Sequence, residues 1–217
     1  MKEVRPISLS NICYKLISKV LANQLKLIHP QIISENQSAF ISERLITDNV
    51  LVAFELMHYL DHKKQGKESF MAVKLDMSKA YDGVEWVFVE KVMRQLGFHG
   101  KWIEWVLKCI TIVTYSVLIN GEAHGTICSS RGLRQGDPLS PYLFLLCTEA
   151  FLALIVEANN SQSLTEVSIC RGCSRVTHLF FTDDSLLFCR AERQDCIKLV
   201  EILKLYEAAS RQKVNAD

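Results

Sequence analysis

The stretch Phe180-Phe181-Thr182-Asp183-Asp184-Ser185-Leu186-Leu187-Phe188 decides the fold, because it sets two adjacent carboxylates between two apolar, strand-forming segments. Aromatic and leucine residues on both sides predict a β-hairpin, and the central Thr-Asp-Asp suits a tight turn. Two like charges beside buried surface repel each other unless cations neutralise them. The stretch therefore predicts a cation-binding hairpin that carries both carboxylates at its tip.

A third carboxylate, Asp76, follows the apolar residues 71–75, which predict a separate strand. If that strand lies beside the hairpin in one sheet, Asp76, Asp183 and Asp184 converge although about a hundred residues separate them in sequence. Carboxylate oxygens are hard ligands that select Mg²⁺ or Mn²⁺ over zinc. Asp76 and Asp183 are the stronger candidate ligands, and Asp184 either binds metal or orients its neighbour. Two such ions, about 3.5–4 Å apart, would activate a primer 3′-hydroxyl and stabilise a leaving pyrophosphate, so the predicted reaction is nucleotidyl transfer.

Hydrophobic periodicity predicts helices and strands around these carboxylates. Helices are expected over about 11–28, 47–62, 84–96, 102–109, 140–157 and 194–210. Ser10 and Ser140 are the expected caps of the first and fifth helices, Pro30 is expected to end the first, and Asn120-Gly121 predicts a hairpin over 115–122. The order strand, helix, helix, strand hairpin predicts an α+β fold. The residues expected to face the core are Ile12, Leu16, Val20 and Ile28 in the first helix, Val50, Ala53, Phe54, Met57 and Leu60 in the second, and Ile197, Val200, Leu203 and Tyr206 in the last.

The loop 131–140 has an unusual composition, with two glycines, two arginines, Gln, Asp and Pro directly before an apolar helix. Its glycines would let the backbone pass close to a ligand. Arg134 and Gln135 would then contact an incoming nucleotide or a template strand. The alternative is a helix-entry turn in which an arginine is paired with Asp137.

The composition indicates a globular chain, since 217 residues with 49% hydrophobic and 23% charged side chains can bury a sizeable core. A net charge of +1 gives little general attraction to phosphates, which lysine and arginine normally supply. Basic regions that hold nucleic acid are therefore expected outside this chain.

Eight scattered cysteines, several inside apolar segments, indicate buried free thiols in a reducing compartment. Cys170 and Cys173 have the spacing of zinc or redox ligands, with His178 nearby, which leaves a metal knuckle as the alternative. The N-terminus shows no signal peptide, and the longest apolar stretch, 142–156, is too short for a bilayer and is interrupted by Thr148-Glu149. The expected protein is intracellular, in the nucleus or cytoplasm, with no membrane partner.

Six sequence blocks in the same order make the chain resemble the reverse transcriptases of non-LTR (LINE-type) retrotransposons, and the plant members most closely. The resemblance covers nearly the whole chain. The block around Asp76 looks closer to LINE-type elements than to group II intron maturases, which share the fold and chemistry. The blocks are Arg5-Pro6-Ile7-Ser8-Leu9, Asn36-Gln37-Ser38-Ala39-Phe40 with Arg44-Leu45-Ile46-Thr47-Asp48-Asn49, Lys74-Leu75-Asp76-Met77-Ser78-Lys79-Ala80-Tyr81-Asp82, Arg131-Gly132-Leu133-Arg134-Gln135-Gly136-Asp137-Pro138-Leu139-Ser140-Pro141, Thr182-Asp183-Asp184 and Gln212-Lys213-Val214-Asn215.

This resemblance implies an RNA-directed DNA polymerase that extends a DNA primer along an RNA template with dNTPs. The implied cofactors are two Mg²⁺ ions, with Mn²⁺ as the alternative. The implied fold is a right-hand polymerase, with a fingers-like region over 1–70 and a palm over 71–217 that has an antiparallel sheet and packed helices. A thumb is expected to be absent from this sequence.

The resemblance also implies a set of substrate contacts. Tyr81 is implied to pack under the sugar of the incoming nucleotide, where a ring excludes a ribose 2′-hydroxyl and so selects deoxyribonucleotides. The implied nucleotide-binding residues further include Arg134, Gln135 and Gly136 of the loop, and Arg5 and Arg44, which would meet the triphosphate or the template backbone.

Four positions depart from the pattern of the resembled family. Glu43 and Arg211 stand where glycine is common, Gly83 where arginine is common, and Thr182 where alanine is usual. None of these is an expected metal ligand. A primer-gripping hairpin and an endonuclease domain are also expected to be absent, so the alternative function is a truncated, catalytically inactive relic that at most binds nucleic acid. A third hypothesis, a domesticated RNA-binding module, is disfavoured by the intact aspartate triad.

Overall fold

The computed structural model describes residues 8, 10–63, 69–168, 175–182 and 184–215. Within these segments helices and strands follow one another in the predicted order. The elements are α1 (Ile12–Ile32), α2 (Ile46–His62), β1 (Phe70–Ser78), α3 (Trp86–Gln95), α4 (Gly100–Thr111), β2 (Thr114–Ile119), β3 (Glu122–Cys128), α5 (Ser140–Asn160), β4 (His178–Phe181), β5 (Asp184–Arg190), α6 (Arg193–Ser210) and β6 (Lys213–Val214).

An antiparallel sheet in the order β4-β5-β1-β6 organises the domain. Strands β4 and β5 form the predicted hairpin, in which Phe181 pairs with Asp184. Strand β1 pairs with β5 along its length and places Asp76 directly opposite Asp184. The prediction that Asp76 approaches the hairpin from a neighbouring strand is therefore confirmed, although Asp184 begins strand β5 instead of lying in the turn.

The two faces of this sheet are covered unequally. Leu75 and Leu187 face the main hydrophobic core, which the sheet shares with α3, α5 and α6. On the opposite face a smaller apolar cluster forms around Leu56 of α2. Because α2 covers only part of this face, Asp76 and Asp184 at the other end of the strands are exposed to solvent.

Helix α5 is the central core helix and is longer than the predicted 140–157. It alone among the described helices is long and apolar enough to cross a membrane, but half of its most apolar stretch is buried within the protein. The predicted cap at Ser140 is wrong, since Leu139 occupies the N-cap position. The Asp137 carboxylate accepts a hydrogen bond from the Leu139 backbone N–H at 3.0 Å, which satisfies a free donor at the start of this helix.

Helix α1 differs from the prediction at both ends and in the face that it buries. The Asn11 side chain, not Ser10, caps the helix by accepting a hydrogen bond from the Tyr14 backbone N–H at 2.7 Å. Pro30 lies inside the helix, which continues to Ile32, because a proline so close to the end disturbs only the last turn. The buried residues are Ser18, Leu21, Ala22, Leu25 and His29, whereas Ile12, Leu16, Val20 and Ile28 are exposed.

Helices α2 and α6 bury only part of the predicted face. A helix that carries apolar residues on more than one side has an ambiguous periodicity, so tertiary packing decides which side is buried. In α6 Tyr206 is buried as predicted, together with Leu199 and Ile202, and Leu203 packs against the same core. In α2 Leu56 is buried, and Ala53 and Leu60 pack against its cluster as predicted. The predicted core residues that are exposed are Val50, Phe54 and Met57 in α2 and Ile197 and Val200 in α6.

The hairpin β2–β3 confirms the turn predicted at Asn120-Gly121. Both turn residues have positive φ angles, 51° and 88°, as a two-residue type I′ turn requires. Cys109, Cys147 and Cys189 are buried free thiols, as predicted, whereas Cys13 and Cys128 are exposed, contrary to the prediction. The alternative metal ligands Cys170 and Cys173 lie outside the described residues.

Three departures from the family pattern lie at positions of unusual backbone conformation. Glu43 and Arg211, which stand where glycine is common, have φ angles of 68° and 61°. Thr182, in the turn of the carboxylate hairpin, has a φ angle of 54°. Glycine adopts this left-handed conformation freely, but a residue with a Cβ is strained there, most of all a β-branched one. The substitutions therefore keep the turns at a conformational cost.

Candidate active site

The candidate site lies where β1 and β5 bring two carboxylates side by side. Asp76 and Asp184 are direct partners in the antiparallel register, so both side chains project from the same open face of the sheet. Such partners have Cβ atoms about 4.5–5.5 Å apart, and like charges at that distance destabilise a sheet. Lys74, on the same face of β1, places its Nζ 3.6 Å from Asp184 Oδ1. This lysine offsets only part of the repulsion, since both side chains are more than half exposed to solvent.

The segment after β6 adds a polar group beside Asp76. Asn215 donates its backbone N–H to the Asp76 carbonyl at 2.8 Å and its Nδ2–H to Asp76 Oδ2 at 3.4 Å. Gln212 anchors the same segment, because its buried amide donates to the Ala80 carbonyl at 2.9 Å. The sequence marks Asn215 only as part of a resembled block. Its contact with Asp76 follows from sheet pairing, which residue spacing does not reveal.

The oxygen donors at this site fit a divalent cation. Two exposed carboxylates on adjacent strands supply hard ligands, and a bound cation would relieve their mutual repulsion. Within the part of the chain that the structure describes, no group of three His, Cys, Asp or Glu side chains is close enough to hold a metal. Asp183, the third predicted ligand, lies outside the described residues.

Tyr81 lies in the turn that follows β1. Its ring stacks on Phe144 of α5, with centroids 4.7 Å apart and planes inclined by 11°. The turn is joined to the loop 131–140, because the Leu133 backbone N–H donates to the Tyr81 carbonyl at 2.8 Å. The loop that was predicted to contact substrate is therefore held beside Tyr81.

Gly132 makes the closest approach in this loop. Its φ angle is +95°, and a Cβ added there would lie 3.0 Å from the Asp82 carbonyl oxygen. The glycine is thus required by contact between two parts of the chain, whereas the sequence suggested contact with a ligand. Gly136, with a φ angle of 89°, is exposed, and Gln135 is partly exposed. Both of these residues are therefore accessible to a substrate.

The Arg134 side chain is buried and interacts with other groups of the protein. Its buried Nη2 lies 3.2 Å from Asp137 Oδ2 and donates to the Cys109 carbonyl at 2.6 Å. Its guanidinium carbon lies 4.0 Å from the centre of the Tyr14 ring, whose hydroxyl donates to Asp137. Burial and this hydrogen bond raise the pKa of Tyr14. These contacts favour the alternative considered for Arg134, a helix-entry turn closed by an ion pair.

Arg44 is likewise occupied by the chain's own backbone. Its guanidinium donates to the carbonyls of Ser34, of Gln37 at 2.7 Å and of Ile33 at 3.1 Å. Three carbonyl acceptors fix the side chain inside the loop that follows α1. Arg44 therefore braces this loop, and Arg5 lies outside the described residues.

Glu149 of α5 also contacts the loop that follows α1. Its Oε1 accepts a hydrogen bond from the Ser34 backbone N–H at 3.0 Å. Burial raises the pKa of the Glu149 carboxyl from 4.5 to about 7, while the Ser34 hydrogen bond and the Arg44 charge act in the opposite direction. The ionisation of this group therefore falls in the neutral pH range.

Replacing Glu149 with glutamine is expected to stabilise the protein at alkaline pH and to change little in acid. Because the pKa is raised in the folded protein, the contribution of this carboxyl is fully present below pH 4.5 and is lost as the pH rises through about 7. Above that pH the free energy of unfolding of Glu149→Gln should exceed that of the parent by up to about 3 kcal/mol. Urea unfolding across the pH range measures the difference.

The control for this experiment is Glu157→Gln, which alters an exposed carboxylate on the same helix.

Two buried histidines, His29 and His178, also titrate during the experiment, since burial lowers the pKa of each from 6.5 to about 4. The stability that they contribute is present above pH 6.5 and is lost as the pH falls through about 4. This loss is common to parent and variant and cancels in the comparison, so equal pH slopes for parent and Glu149→Gln would contradict the prediction.

An antiparallel sheet backed by helices, with paired carboxylates at its open end, is consistent with the palm of a nucleic-acid polymerase. The family model described as reverse transcriptase (RNA-dependent DNA polymerase) matches residues 1–217, and the chain belongs to this family. Members of the family generally use divalent metal ions. The expected membership is thus confirmed at the level of the family.

Proteins of related sequence include retroelement polyproteins. The chain is 28% identical over 215 residues to the transposon TX1 uncharacterized 149 kDa protein of Xenopus laevis, covering 99% of this chain and 16% of that protein. It is 26% identical over 187 residues to the retrovirus-related Pol polyprotein from type-1 retrotransposable element R2 of Popillia japonica, covering 84% and 24%. An uncharacterized mitochondrial protein of Arabidopsis thaliana is 47% identical over 68 residues, covering 31% and 56%. The chain therefore spans less than two thirds of the length of each relative.

Solved structures of similar fold include yeast telomerases. The apo telomerase of Candida tropicalis, truncated from its C-terminal domain, superposes with a TM-score of 0.56 at 14% identity, over 93% of this chain and 40% of that one. The telomerase of Candida albicans in complex with a TWJ fragment of telomeric RNA gives a TM-score of 0.57 at 16% identity, over 93% and 33%. At these identities the likeness establishes the fold, a mixed α/β arrangement with antiparallel sheets.

Proposed function

We propose that this chain is the polymerase domain of a non-LTR retroelement, which extends a DNA primer along an RNA template with dNTPs. The observation that carries the proposal is the direct pairing of Asp76 with Asp184 at the open end of the sheet. Two adjacent exposed carboxylates contribute no packing and destabilise the sheet by repulsion. A cation-dependent reaction explains their presence there.

Asp76, Asp183 and Asp184 would hold two Mg²⁺ ions, with Mn²⁺ as the alternative. When bound, such ions would activate a hydroxyl nucleophile and neutralise the charge that develops on the transferred phosphate. The contribution of the chain is to hold the ligands in place. Asp76 is fixed by β1 and by its hydrogen bond from Asn215, and Asp184 by its position at the start of β5. Lys74 limits the repulsion between the two carboxylates in the absence of substrate.

The proposed contacts to the incoming nucleotide come from Tyr81, Gln135 and Gly136. Support comes from the hydrogen bond that joins the loop to the Tyr81 turn and from the exposure of Gly136. Arg134 and Arg44 are proposed to act indirectly, since their guanidinium groups hold the surrounding loops. A contact from Arg5 is proposed on the resemblance alone. In this proposal residues 1–70 serve as fingers and 71–217 as the palm.

Removing the ring of Tyr81 is expected to admit ribonucleotides. In Tyr81→Ala the incorporation of rNTPs relative to dNTPs should rise by about 10- to 200-fold, because the ring no longer excludes a 2′-hydroxyl. Single-nucleotide extension with matched dNTP and rNTP measures the ratio. Tyr81→Phe keeps the ring that stacks on Phe144 and should keep the parental ratio. A selectivity unchanged in Tyr81→Ala would show that the tyrosine only packs the core.

The proposed function is tested by primer extension on an RNA template with dNTPs and Mg²⁺, comparing the parent with Asp183→Asn. We expect the parent to extend the primer and the variant not to extend it. A filter-binding assay on the same primer and template runs in parallel. Binding by both proteins without extension by either would favour the catalytically inactive relic.

We also propose a plant origin, which the Arabidopsis relative supports. It is tested by locating this coding sequence within complete elements in plant genomes.

A further inference from the structure

Strand β4 lies at the edge of the sheet, and a loop covers its free side. The Phe180 backbone N–H donates to the Asn36 carbonyl at 3.0 Å, and Gln37 forms a parallel bridge with Phe180. An uncovered edge would leave these backbone groups to water or to another chain. The loop residues 34–37 therefore extend the sheet on the outer side of the carboxylate hairpin.

Asn49 of α2 joins this loop to the strand. Its Nδ2 group donates two hydrogen bonds of 3.0 Å, one to the Asn36 carbonyl and one to the Phe180 carbonyl. Phe180 is 2% exposed, so water would replace the lost bond poorly. One amide thereby fastens α2, the loop and β4 to one another. The sequence marks Asn49 only as part of a resembled block, and its position within a helix of ambiguous periodicity does not reveal these partners.

Gln37 contacts the turn of the carboxylate hairpin, at Thr182, as well as strand β4, at Phe180. Its Oε1 accepts hydrogen bonds from the backbone N–H groups of Thr182 at 3.4 Å and Ala39 at 3.1 Å. The side chain is fully buried, so the contact is shielded from solvent. Phe180 and Thr182, which precede the aspartate pair, are therefore both fixed by groups outside the hairpin.

We propose that Asn49 is a positioning residue that sets where the carboxylate hairpin meets Asp76. The inference rests on the proposed polymerase function and assigns a residue that supports it. Among the described residues Asn49 hydrogen-bonds two backbone carbonyls and no side chain, so it acts through the position of β4. Ligands in a metal site must be held to within about 0.5 Å, and loss of a supporting hydrogen bond typically costs about 10- to 100-fold in metal affinity or activity.

The decisive variant is Asn49→Asp, which removes both donors at nearly constant shape. We expect kcat for primer extension to fall by about 10- to 100-fold while KM for the dNTP changes by less than about twofold, since the Asn49 amide donors are engaged by backbone carbonyls. The affinity for Mn²⁺, measured by electron paramagnetic resonance, should fall by a similar factor. Asn23→Asp makes the same chemical change on the exposed side of α1 and should alter neither quantity.

A general loss of stability would not lower kcat and the affinity for Mn²⁺ this far while leaving KM nearly unchanged. Ile202→Val removes a methylene from the core helix α6, away from the hairpin, and reports what general destabilisation does to kcat. If kcat in Asn49→Asp falls no further than in Ile202→Val, or if KM rises instead of kcat falling, the positioning role is overturned.

Amide hydrogen exchange provides a readout that needs no activity. In Asn49→Asp the amides of Phe180 and Thr182 should exchange faster, whereas in Asn23→Asp they should keep their parental protection. Failure of the parent to extend primers would contradict the proposed function alone, because exchange and Mn²⁺ binding would still decide the role of Asn49. Unchanged protection of both amides in Asn49→Asp would overturn the inference.

Discussion

Replacing Asp76 with asparagine is expected to lower primer extension by about a thousandfold, which corresponds to about 4 kcal/mol of transition-state stabilisation. The substitution keeps the shape of the side chain and removes the negative charge that binds a cation. The register is set by backbone pairing, so Asp184 should keep its position opposite residue 76. The loss should therefore reflect the chemistry of the site.

The same substitution should not reduce stability. Asp76 and Asp184 repel each other across the strand pair, so removing one charge is expected to raise the free energy of unfolding by up to about 1 kcal/mol. Activity and stability would thus change in opposite directions, which distinguishes a functional carboxylate from a structural one. Single-turnover extension and urea unfolding measure the two quantities.

Glu122→Gln, which neutralises an exposed carboxylate at the start of β3, is the matched control and should change neither quantity. Extension by Asp76→Asn within about tenfold of the parent would contradict the assignment of Asp76 as a metal ligand.

The largest loss of stability is expected for Asp137→Ala, at about 3–5 kcal/mol. The substitution leaves the buried Arg134 guanidinium without its carboxylate partner and the Tyr14 hydroxyl without its acceptor. It also removes the acceptor for the Leu139 N–H at the start of α5. Unpaired charge in a buried site is costly because the protein interior solvates it poorly.

Denaturant unfolding of Asp137→Ala measures this loss. Glu90→Ala breaks an ion pair of 2.7 Å with Arg94 on the surface of α3, and exposed pairs of this kind contribute only about 0.3–0.5 kcal/mol. The double variant Arg134→Met/Asp137→Leu removes both charges and should recover much of the stability. An Asp137→Ala variant no less stable than Glu90→Ala would refute the structural role of the pair.

Local sequence predicted the elements of the fold well, because each depends on residues close to one another. The carboxylate hairpin, the strand before Asp76 and the Asn120-Gly121 turn were all predicted correctly. Each rests on a short pattern of apolar and turn-forming residues that has one favourable local structure. The helices were located correctly, and their ends differed by a few residues because caps depend on neighbouring segments.

The partners of individual side chains were much less predictable. The guanidinium of Arg134 was a candidate nucleotide contact in the sequence, yet it is buried against Asp137 and Cys109. The contacts of Asn49 with Phe180 and of Asn215 with Asp76 join residues more than a hundred positions apart. No spacing rule relates such residues, because their proximity arises only when the helices and the sheet pack together.

The sequence by itself determined the family of this protein, the order of its helices and strands and the approach of Asp76 to the carboxylate hairpin from a separate strand. These properties follow from local patterns, whose energies depend on nearby residues. The tertiary structure alone decided which faces of α1, α2 and α6 are buried and which polar groups hold the carboxylate hairpin. These helices carry apolar side chains on several faces, so the face that is buried is the one that removes most apolar surface from water when the helix packs against the domain.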